Sequence, residues 1–319
     1  MQIIDLSLNI LPEPCVASIG FFDGVHLGHQ FLINQVKYEA NKRGLKSAVI
    51  TFPMHPGKVI NPTKHIDQLT LADEKFELLE KSGLDYCFLL EFSHNLAQYS
   101  AQEFMAKILF ATFNVRTLVI GHDHRFGYNR KDGFEQYVEY GKDLGIEVLQ
   151  AEAFTDEVDG ETISSSNIRE AIQLGHINLA NKQLGYSYFL NGMVVDGKKL
   201  GRTIGFPTAN IQVSDQDKMV PNDGVYAVKV NIEGDNKCYW GMLNIGLRPT
   251  VNNGSNRSIE VNILDFNRDI YRKKIRVIFL KWLRPEIKFD SLDALVDEMK
   301  NDEATVRSIM HQEYTCNCK

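Results

Sequence analysis

The 319-residue sequence predicts an α/β fold for its first half, and an all-β fold that ends in one helix for its second half. Three observations support this prediction. Short apolar runs alternate with amphipathic stretches up to about residue 183, β-rich runs separated only by turns follow residue 185, and a last amphipathic stretch closes the chain. A length of about 150 residues per domain also favours two domains. We therefore predict domains at 1–184 and 185–319.

The first domain is predicted to contain a doubly wound parallel sheet, because strands and helices alternate through short links. The predicted strands are 16–20, 47–52, 85–92, 117–123 and 146–152. The predicted helices are 28–43, 71–82, 101–112 and 133–144. Gly44, Gly83 and Gly145 stand where three helices should end, and Thr70 is a candidate cap for the second helix. Ligands of such sheets bind at the carboxyl ends of the strands.

The second domain shows strands without intervening helices, which is typical of an antiparallel barrel or sandwich. The predicted strands are 188–195, 224–232, 237–246, 258–266 and 275–283. A terminal helix over about 291–311 carries its apolar side chains on one side.

Composition and charge exclude several classes of protein. Asp and Glu total 41 against 35 Lys and Arg, so the net charge of −6 gives the chain no overall attraction for nucleic acid or anionic membrane. No apolar run reaches the length of a membrane span, and the N-terminus lacks a secretory signal. Five scattered cysteines do not form a disulfide framework. We therefore expect a cytoplasmic protein with neither nucleic acid nor membrane as a partner.

The segment 20–29, Gly-Phe-Phe-Asp-Gly-Val-His-Leu-Gly-His, leads from the first strand into the first helix. Gly24 and Gly28 let the backbone approach a ligand, and the helix N-terminus offers free N–H groups to a phosphate. His26 and His29 can donate further hydrogen bonds to it. Two alternatives stay open: a purely structural turn, or a zinc site in a hydrolase. The candidate zinc ligands are His26, His29, His55, His122, Asp123 and His124.

A second motif lies in a basic loop, where Gly197, Gly201 and Gly205 recur every four residues. This is not a P-loop, but its backbone N–H groups can still cradle phosphate. Thr208 and Asn210 would share one face of an extended segment and suit Mg²⁺ that carries ATP phosphates. The alternative is a structural glycine-rich hairpin.

A carboxylate in the next part of the chain can complete this chemistry. Glu260 alternates with Ile259 and Val261, so it points to the face opposite these apolar neighbours. A carboxylate placed there can act as general base for an alcohol that attacks a phosphoryl group. An exposed strand glutamate with no catalytic role is the alternative.

The first motif resembles the His-x-Gly-His signature of nucleotidyltransferases. In its longer form it is similar to the N-terminal module of bacterial bifunctional riboflavin kinase/FAD synthetases, and the segments 51–56, 121–127 and 163–169 agree in order. This resemblance implies a Rossmann-like domain that adenylylates FMN with ATP, with His26 and His29 catalytic. The implied ATP contacts are Gly20, Phe22, Asp23, Gly24, His26, His29, Ser164, Ser165, Ser166 and Arg169. The implied FMN and nucleotide loop contacts are His55, Pro56, Asp123, Arg125 and Phe126.

The second motif is similar to the Gly-Phe-Pro-Thr-Ala-Asn signature of riboflavin kinases, and the match continues through 223–227, 244–250, 259–266 and 283–289. It implies an antiparallel β-barrel that phosphorylates riboflavin with Mg-ATP. Glu260 is then the catalytic base, and Thr208 and Asn210 hold Mg²⁺. The implied ATP contacts are Gly197, Lys199, Gly201, Gly205, Pro207, Thr208 and Asn210.

The sequence departs from the family at four positions: His124, Ser166, Asn262 and Arg272 replace phenylalanine, threonine, histidine and glycine. None of these changes removes a catalytic group. The expected ligands are riboflavin, FMN, FAD and ATP, with no obligate protein partner implied. Two other functions remain as alternatives, a metal-dependent hydrolase and a flavin-binding regulator with degenerate sites.

Overall fold

The computed structural model divides into two compact units, Met1–Ser165 and Ser166–Lys319. The residues that it describes are 1–5, 11–63, 65–121, 124–154, 158, 160, 162–197, 200–247 and 257–316. The domain boundary predicted at 184/185 stays a prediction. No helix within these described stretches is both long enough and apolar enough to cross a membrane.

The first unit contains a sheet whose strand neighbours are all parallel, in the order β1-β4-β3-β2-β5-β6. The strands are β1 (Gln2–Asp5), β2 (Cys15–Ile19), β3 (Lys46–Thr51), β4 (Tyr86–Leu89), β5 (Val115–Ile120) and β6 (Glu147–Gln150). The predicted parallel sheet is confirmed. The sequence analysis missed only β1, because four residues are too few to show a period.

The helices between these strands follow the predicted segments. They are α1 (Leu27–Arg43), α2 (Pro56–Ile60), α3 (Ala72–Lys81), α4 (Ala101–Phe104) and α5 (Phe134–Leu144). A further helix, α6 (Ser165–Gln173), comes after β6 and begins at the boundary between the units. A π-helical turn over Met105–Phe110 continues α4. Gly44 and Gly145 end α1 and α5 in the left-handed conformation, with φ of 65° and 73°. The short helix α2 was not predicted.

Alternate strand residues face two apolar layers, which confirms the doubly wound arrangement. Ala17 and Ile50 pack in the layer that includes residues of α4 and α5. Val16 and Val49 pack in the layer that includes residues of α1 and α3. Both faces of the sheet are therefore buried, as a parallel sheet requires.

The predicted cap of the second helix is wrong. Leu71, not Thr70, is the cap residue of α3, and its N–H donates to the Glu74 carboxylate at 3.0 Å. The hydroxyl of Thr70 accepts instead from the N–H of Gly24 at 3.0 Å. The reason is a tertiary contact: Gly24, in the loop after β2, donates to the Thr70 hydroxyl, which is therefore not available to cap α3.

The second unit contains a closed antiparallel barrel with strand order β10-β11-β8-β7-β12-β9. Its strands are β7 (Phe189–Val195), β8 (Thr208–Val213), β9 (Gly224–Ile232), β10 (Cys238–Leu247), β11 (Arg257–Ile263) and β12 (Lys274–Arg284). The predicted barrel is confirmed, although the sequence analysis gave five of these six strands and did not include β8. Helix α7 (Ile177–Leu184) precedes it, and the Asn181 amide of this helix donates to the Phe279 carbonyl at 2.9 Å.

Two further helices accompany the barrel. The short helix α8 (Leu200–Thr203) lies between β7 and β8. The long helix α9 (Leu292–Cys316) follows Ser291, whose hydroxyl accepts from the Ala294 N–H at 3.1 Å. Val306 of α9 is fully buried in a cluster with Trp240 and Met242. The predicted terminal helix is therefore present and extends five residues beyond its predicted end at 311.

A buried ion pair fastens α9 to the end of β12. The Arg284 guanidinium donates to both carboxylate oxygens of Asp302, with an Nη2–Oδ2 distance of 2.7 Å. The side chain of Asp302 is only 8% exposed. The guanidinium Nε also lies 3.3 Å from the Glu298 carboxylate, so removing Asp302 takes away the stronger of two carboxylate partners of Arg284.

We expect Asp302→Ala to lower the free energy of unfolding of the second unit by about 2 kcal/mol, because the charge-assisted hydrogen bonds from Arg284 are lost. Both tryptophans, Trp240 and Trp282, lie in this unit, so urea unfolding followed by tryptophan fluorescence reports on it alone. The control is Asp297→Ala, which removes a 73%-exposed carboxylate from its pair with Lys300 and should leave the urea midpoint unchanged. Equal midpoints for both variants would contradict a stabilising role for the buried pair.

Candidate active sites

The turn between β2 and α1 has a strained backbone. Phe22, Gly24 and Val25 all have positive φ, of 55°, 77° and 39°. Positive φ is unfavourable for phenylalanine and still more for a β-branched residue. Such strain persists only where surrounding contacts hold the backbone, and it is concentrated at functional sites.

Asp23 supplies the contacts that hold this turn. Its carboxylate is 3% exposed and accepts from the N–H groups of Leu69 and Thr70, at 3.1 and 3.0 Å. Gly24 returns a hydrogen bond to the Thr70 hydroxyl. The carboxylate therefore binds the loop before α3, and the predicted contact of Asp23 with ATP stays a prediction.

The two histidines of the motif stack on each other. The ring centroids of His26 and His29 are 3.7 Å apart with planes 18° from parallel. Nδ1 of His26 accepts from the N–H of His29 at the start of α1. Nδ1 of His29 is buried and has no hydrogen-bond partner among the described residues.

The environment of His29 keeps its ring neutral. Burial holds the pKa of His29 well below 6.5, and the nearby His26 and Lys75 lower this pKa further. A neutral imidazole can donate a hydrogen bond to a phosphate oxygen but brings no full positive charge. His29 is thus suited to hydrogen bonding at neutral pH.

The zinc alternative finds no support in this geometry. Within the described parts of the chain, no three His, Cys, Asp or Glu side chains are grouped so that they could hold a metal ion. His122 and Asp123, two of the candidate ligands, lie outside the described residues.

The third predicted segment lies against the first. The hydroxyl of Ser165 donates to the backbone carbonyl of Asp23 at 3.0 Å. A Cβ on Gly28 would lie 4.0 Å from the Ile163 carbonyl and 3.3 Å from the His26 ring. The structure thus brings the two segments together within the first unit. Of the remaining predicted contacts, Ser166 and Arg169 continue α6.

The other predicted contacts of this unit differ in their surroundings. His55 caps α2, where its Nδ1 accepts from the Gly57 N–H at 3.0 Å, and its ring meets the edge of Phe21 at 4.6 Å. The ring of Phe126 is 8% exposed and stacks on Tyr137 in the core. Phe126 therefore anchors its loop, and its predicted ligand contact stays a prediction. Arg125 is exposed beside it, whereas Asp123 lies outside the described residues.

His124, which replaces the family phenylalanine, has a buried Nε2 with no hydrogen-bond partner in the described chain. Burial, with a smaller effect of Arg130, lowers the pKa of His124 to about 4. The ring is therefore neutral.

Lys75 of α3 is a buried residue that the sequence analysis missed. It is 1% exposed, and its ammonium donates to the carbonyls of Phe21 and Phe52 at 3.1 and 2.8 Å. Its position four residues before the buried Leu79 places it on the inner face of the helix. This spacing was the signal that could have identified it.

In the barrel, strands β8 and β11 bring the second motif together. Their register pairs Asn210 with Glu260 and Thr208 with Asn262, so all four side chains share one face. The Thr208 hydroxyl donates to the Glu260 carboxylate at 3.1 Å. Asn210 is 5% exposed. Two predicted metal ligands and the predicted base are therefore neighbours.

The three glycines of the basic loop have different structural reasons. A Cβ on Gly197 would lie 2.1 Å from the Asn210 amide nitrogen, and one on Gly201 would lie 2.2 Å from the Phe206 carbonyl. Gly205 has a φ of 85°, which favours glycine. Lys199 and the matched residues 248–250 lie outside the described residues.

Asn262 supports the Pro-Thr-Ala-Asn segment. Its amide donates to the Pro207 carbonyl at 2.8 Å, and the side chain is 6% exposed. The residue that departs from the family thus fixes the backbone beside Thr208. Sequence reasoning identified the departure but had no signal for this contact.

A cleft of about 460 Å³ opens beside Thr208. Its walls combine apolar groups such as Val194 and Ile263 with the charged side chains of Arg202, Arg268 and Asp269, and Arg268 is paired with Asp235. Tyr271 contributes an aromatic ring. This combination suits a nucleotide, which has an apolar base and anionic phosphates.

Comparisons with known proteins match both halves of the chain. The family model for FAD synthetase matches residues 9–167, and the model for riboflavin kinase matches residues 184–310. The crystal structure described as a macrolide-efflux protein from Streptococcus pneumoniae has a TM-score of 0.87 and 35% identity, covering 96% of this chain and 98% of that chain.

Two curated relatives carry the name bifunctional riboflavin kinase/FMN adenylyltransferase. The protein of Listeria monocytogenes is 40% identical over 92% of this chain and 91% of that relative. The protein of Escherichia coli K12 is 38% identical over 92% of each. Because these matches span both units and both motifs, the chain belongs to the bifunctional riboflavin kinase/FMN adenylyltransferase family.

Proposed function

We propose that the barrel phosphorylates riboflavin to FMN with Mg-ATP, and that the first unit converts FMN to FAD with a second ATP. The observation that supports this proposal is that each half of the chain brings together its own group of polar side chains suited to phosphate transfer. One joins Thr208, Asn210 and Glu260 across two strands, and the other joins His26 and His29 at a helix N-terminus. The family of the chain supports both activities.

In the kinase step, the ribityl 5′-hydroxyl of riboflavin attacks the γ-phosphorus of ATP. Glu260 accepts the hydroxyl proton, and ADP leaves. The hydrogen bond from Thr208 orients the Glu260 carboxylate and leaves the threonine lone pairs available. The cleft lined by Arg202 and Arg268 receives the nucleotide.

The donor set around Thr208 fits magnesium. Thr208, Asn210 and Glu260 offer a hydroxyl, an amide oxygen and a carboxylate, and Mg²⁺ prefers oxygen ligands. The buried Asn210 amide lies where a Cβ on residue 197 would otherwise be, so its position is fixed. Thr208 and Asn210 would hold the ion, which when bound neutralises phosphate charge during transfer.

In the adenylylation step, a phosphate oxygen of FMN attacks the α-phosphorus of ATP, and pyrophosphate leaves. The N–H groups at the start of α1 and the neutral His29 donate to the phosphate oxygens. Ser165, the last residue of the first unit, supplies a further donor. The attacking phosphate is already anionic, so no general base is needed. Because ATP is consumed in both steps, we place the enzyme in the cytoplasm.

The first experiment is a chromatographic time course of flavins with the full chain, riboflavin, ATP and magnesium. We expect FMN to appear first and FAD to follow it. Tight flavin binding without turnover would instead favour the regulator with degenerate sites.

Glu260→Gln should lower FMN formation from riboflavin by about 10²–10⁴-fold, because the hydroxyl then loses its proton acceptor. Conversion of added FMN to FAD by the same preparation should be unchanged, which also shows that the variant is folded. The two-site proposal would be wrong if both activities fell together in a folded protein.

His29→Ala should have the reverse effect and make FMN accumulate, with FAD formation lowered by about 10²–10³-fold. The matched control is His65→Ala, since His65 is an exposed histidine of the same unit that pairs with Asp67. The rate of FAD formation from added FMN is measured for both variants. A loss in His29→Ala but not in His65→Ala shows that the effect belongs to the position of His29 and not to the removal of any histidine.

Thr208→Val should abolish most riboflavin phosphorylation, because valine keeps the shape of threonine and removes the hydroxyl. Thr208→Ser should retain it. The rate is measured across a magnesium titration for both variants. If Thr208→Val had the same rate and the same magnesium dependence as the unmodified chain, the proposed role of Thr208 as a magnesium ligand would be wrong.

A further inference from the structure

The first unit buries an ammonium group that the proposed chemistry does not use. Lys75 Nζ lies 3.1 Å from the Phe21 carbonyl, 2.8 Å from the Phe52 carbonyl and 4.0 Å from the centre of the Phe21 ring. An ammonium has three N–H donors. Two carbonyls and one aromatic face thus account for all of them.

The two carbonyls lie at the carboxyl ends of neighbouring strands. Phe21 follows β2 and precedes the strained turn, and its carbonyl also accepts from the Thr51 hydroxyl at 3.1 Å. Phe52 follows β3 and leads to His55, which meets the Phe21 ring. A single side chain therefore connects the two backbone segments that carry the site residues.

A charge at this place costs stability that an apolar residue would not cost. Burial lowers the pKa of Lys75 to about 8, partly opposed by the Asp23 carboxylate and by Cys87. The group is still protonated at neutral pH. A methionine of similar length would fill the space without the desolvation penalty, so packing alone does not explain a lysine here.

We propose that Lys75 is a positioning residue for FMN adenylylation: its ammonium holds the ends of β2 and β3 together and so keeps the turn before His26 and His29 in its phosphate-binding conformation. This inference rests on the proposed function of the first unit. Lys75 acts through the Phe21 and Phe52 carbonyls and does not touch the substrates.

The variant Lys75→Met tests the proposal in the full chain. FAD formation from added FMN should fall by about 10²-fold, because small displacements of a phosphate-transfer site have effects of this size. Riboflavin phosphorylation by the same preparation should be unchanged. The melting temperature of the first unit should fall by a few degrees, because the Phe52 carbonyl loses this donor, so both rates are measured well below that temperature.

The matched control is Lys81→Met on the same helix, whose side chain is 65% exposed and pairs with Glu77. It should leave FAD formation unchanged. Unmodified protein that makes no FAD at all would contradict the proposed function itself. Normal FAD formation by folded Lys75→Met would overturn only the role of Lys75.

A pH profile of the unmodified chain is a second test, and it does not depend on the folding of any variant. The other charged or titratable groups that face Lys75 are Asp23, His29 and Cys87. Burial raises the pKa of the Cys87 thiol to about 12, and the pKa of His29 is well below 6.5, so neither titrates between pH 7 and 9.5. The ammonium is present below about pH 8 and is lost as the pH rises through that value.

We therefore expect the ratio of FMN adenylylation to riboflavin phosphorylation to fall above about pH 8, with both rates measured in one sample at each pH. Lys75→Met should show the lower ratio at every pH and no such fall. A ratio that stays constant from pH 7 to 9.5 in the unmodified chain would contradict the proposal.

Discussion

The first unit depends on the hydrogen bonds between one buried carboxylate and the backbone before α3. Asp23 sits in a turn where three residues have positive φ, and this conformation has to be stabilised by something outside the turn. The N–H groups of Leu69 and Thr70, in the loop before α3, stabilise the turn by donating to the Asp23 carboxylate. The cap of α1, the stacked histidines and the contact of Ser165 with the Asp23 carbonyl all follow from the turn being in this shape.

In the barrel, the register of the antiparallel strands β8 and β11 positions the site residues. Pairing Glu260 with Asn210 places the hydroxyl, amide and carboxylate on one face, and a slip of either strand by one residue would turn that strand's side chains away from those of the other. Asn262 fixes the end of the neighbouring segment through the Pro207 carbonyl. The site of the first unit is therefore held by hydrogen bonds between loops that are far apart in sequence, whereas the site of the barrel is held by the pairing of its strands.

Much of this could be predicted because periodicity and motif spacing are local properties of the chain. The central strands and the helices that end at Gly44 and Gly145 belong to that class. The exceptions are contacts between segments far apart in sequence. The hydroxyl of Thr70 suggested a helix cap, yet tertiary structure assigns it to Gly24. Lys75 looked like an ordinary helix lysine, because its carbonyl partners lie 54 and 23 residues away.

The order of the strands bears on how the chain assembles as it leaves the ribosome. In the parallel sheet, β2 and β3 are central neighbours, and β4, β5 and β6 are then added outward in the order of synthesis, with only β1 waiting for a later strand. The barrel cannot grow in this way. Strand β12 is the last to be made and is the one that joins β7 to β9, so the barrel stays open until residue 284 has emerged. A nascent chain can thus complete its first sheet while the whole second unit is still being translated.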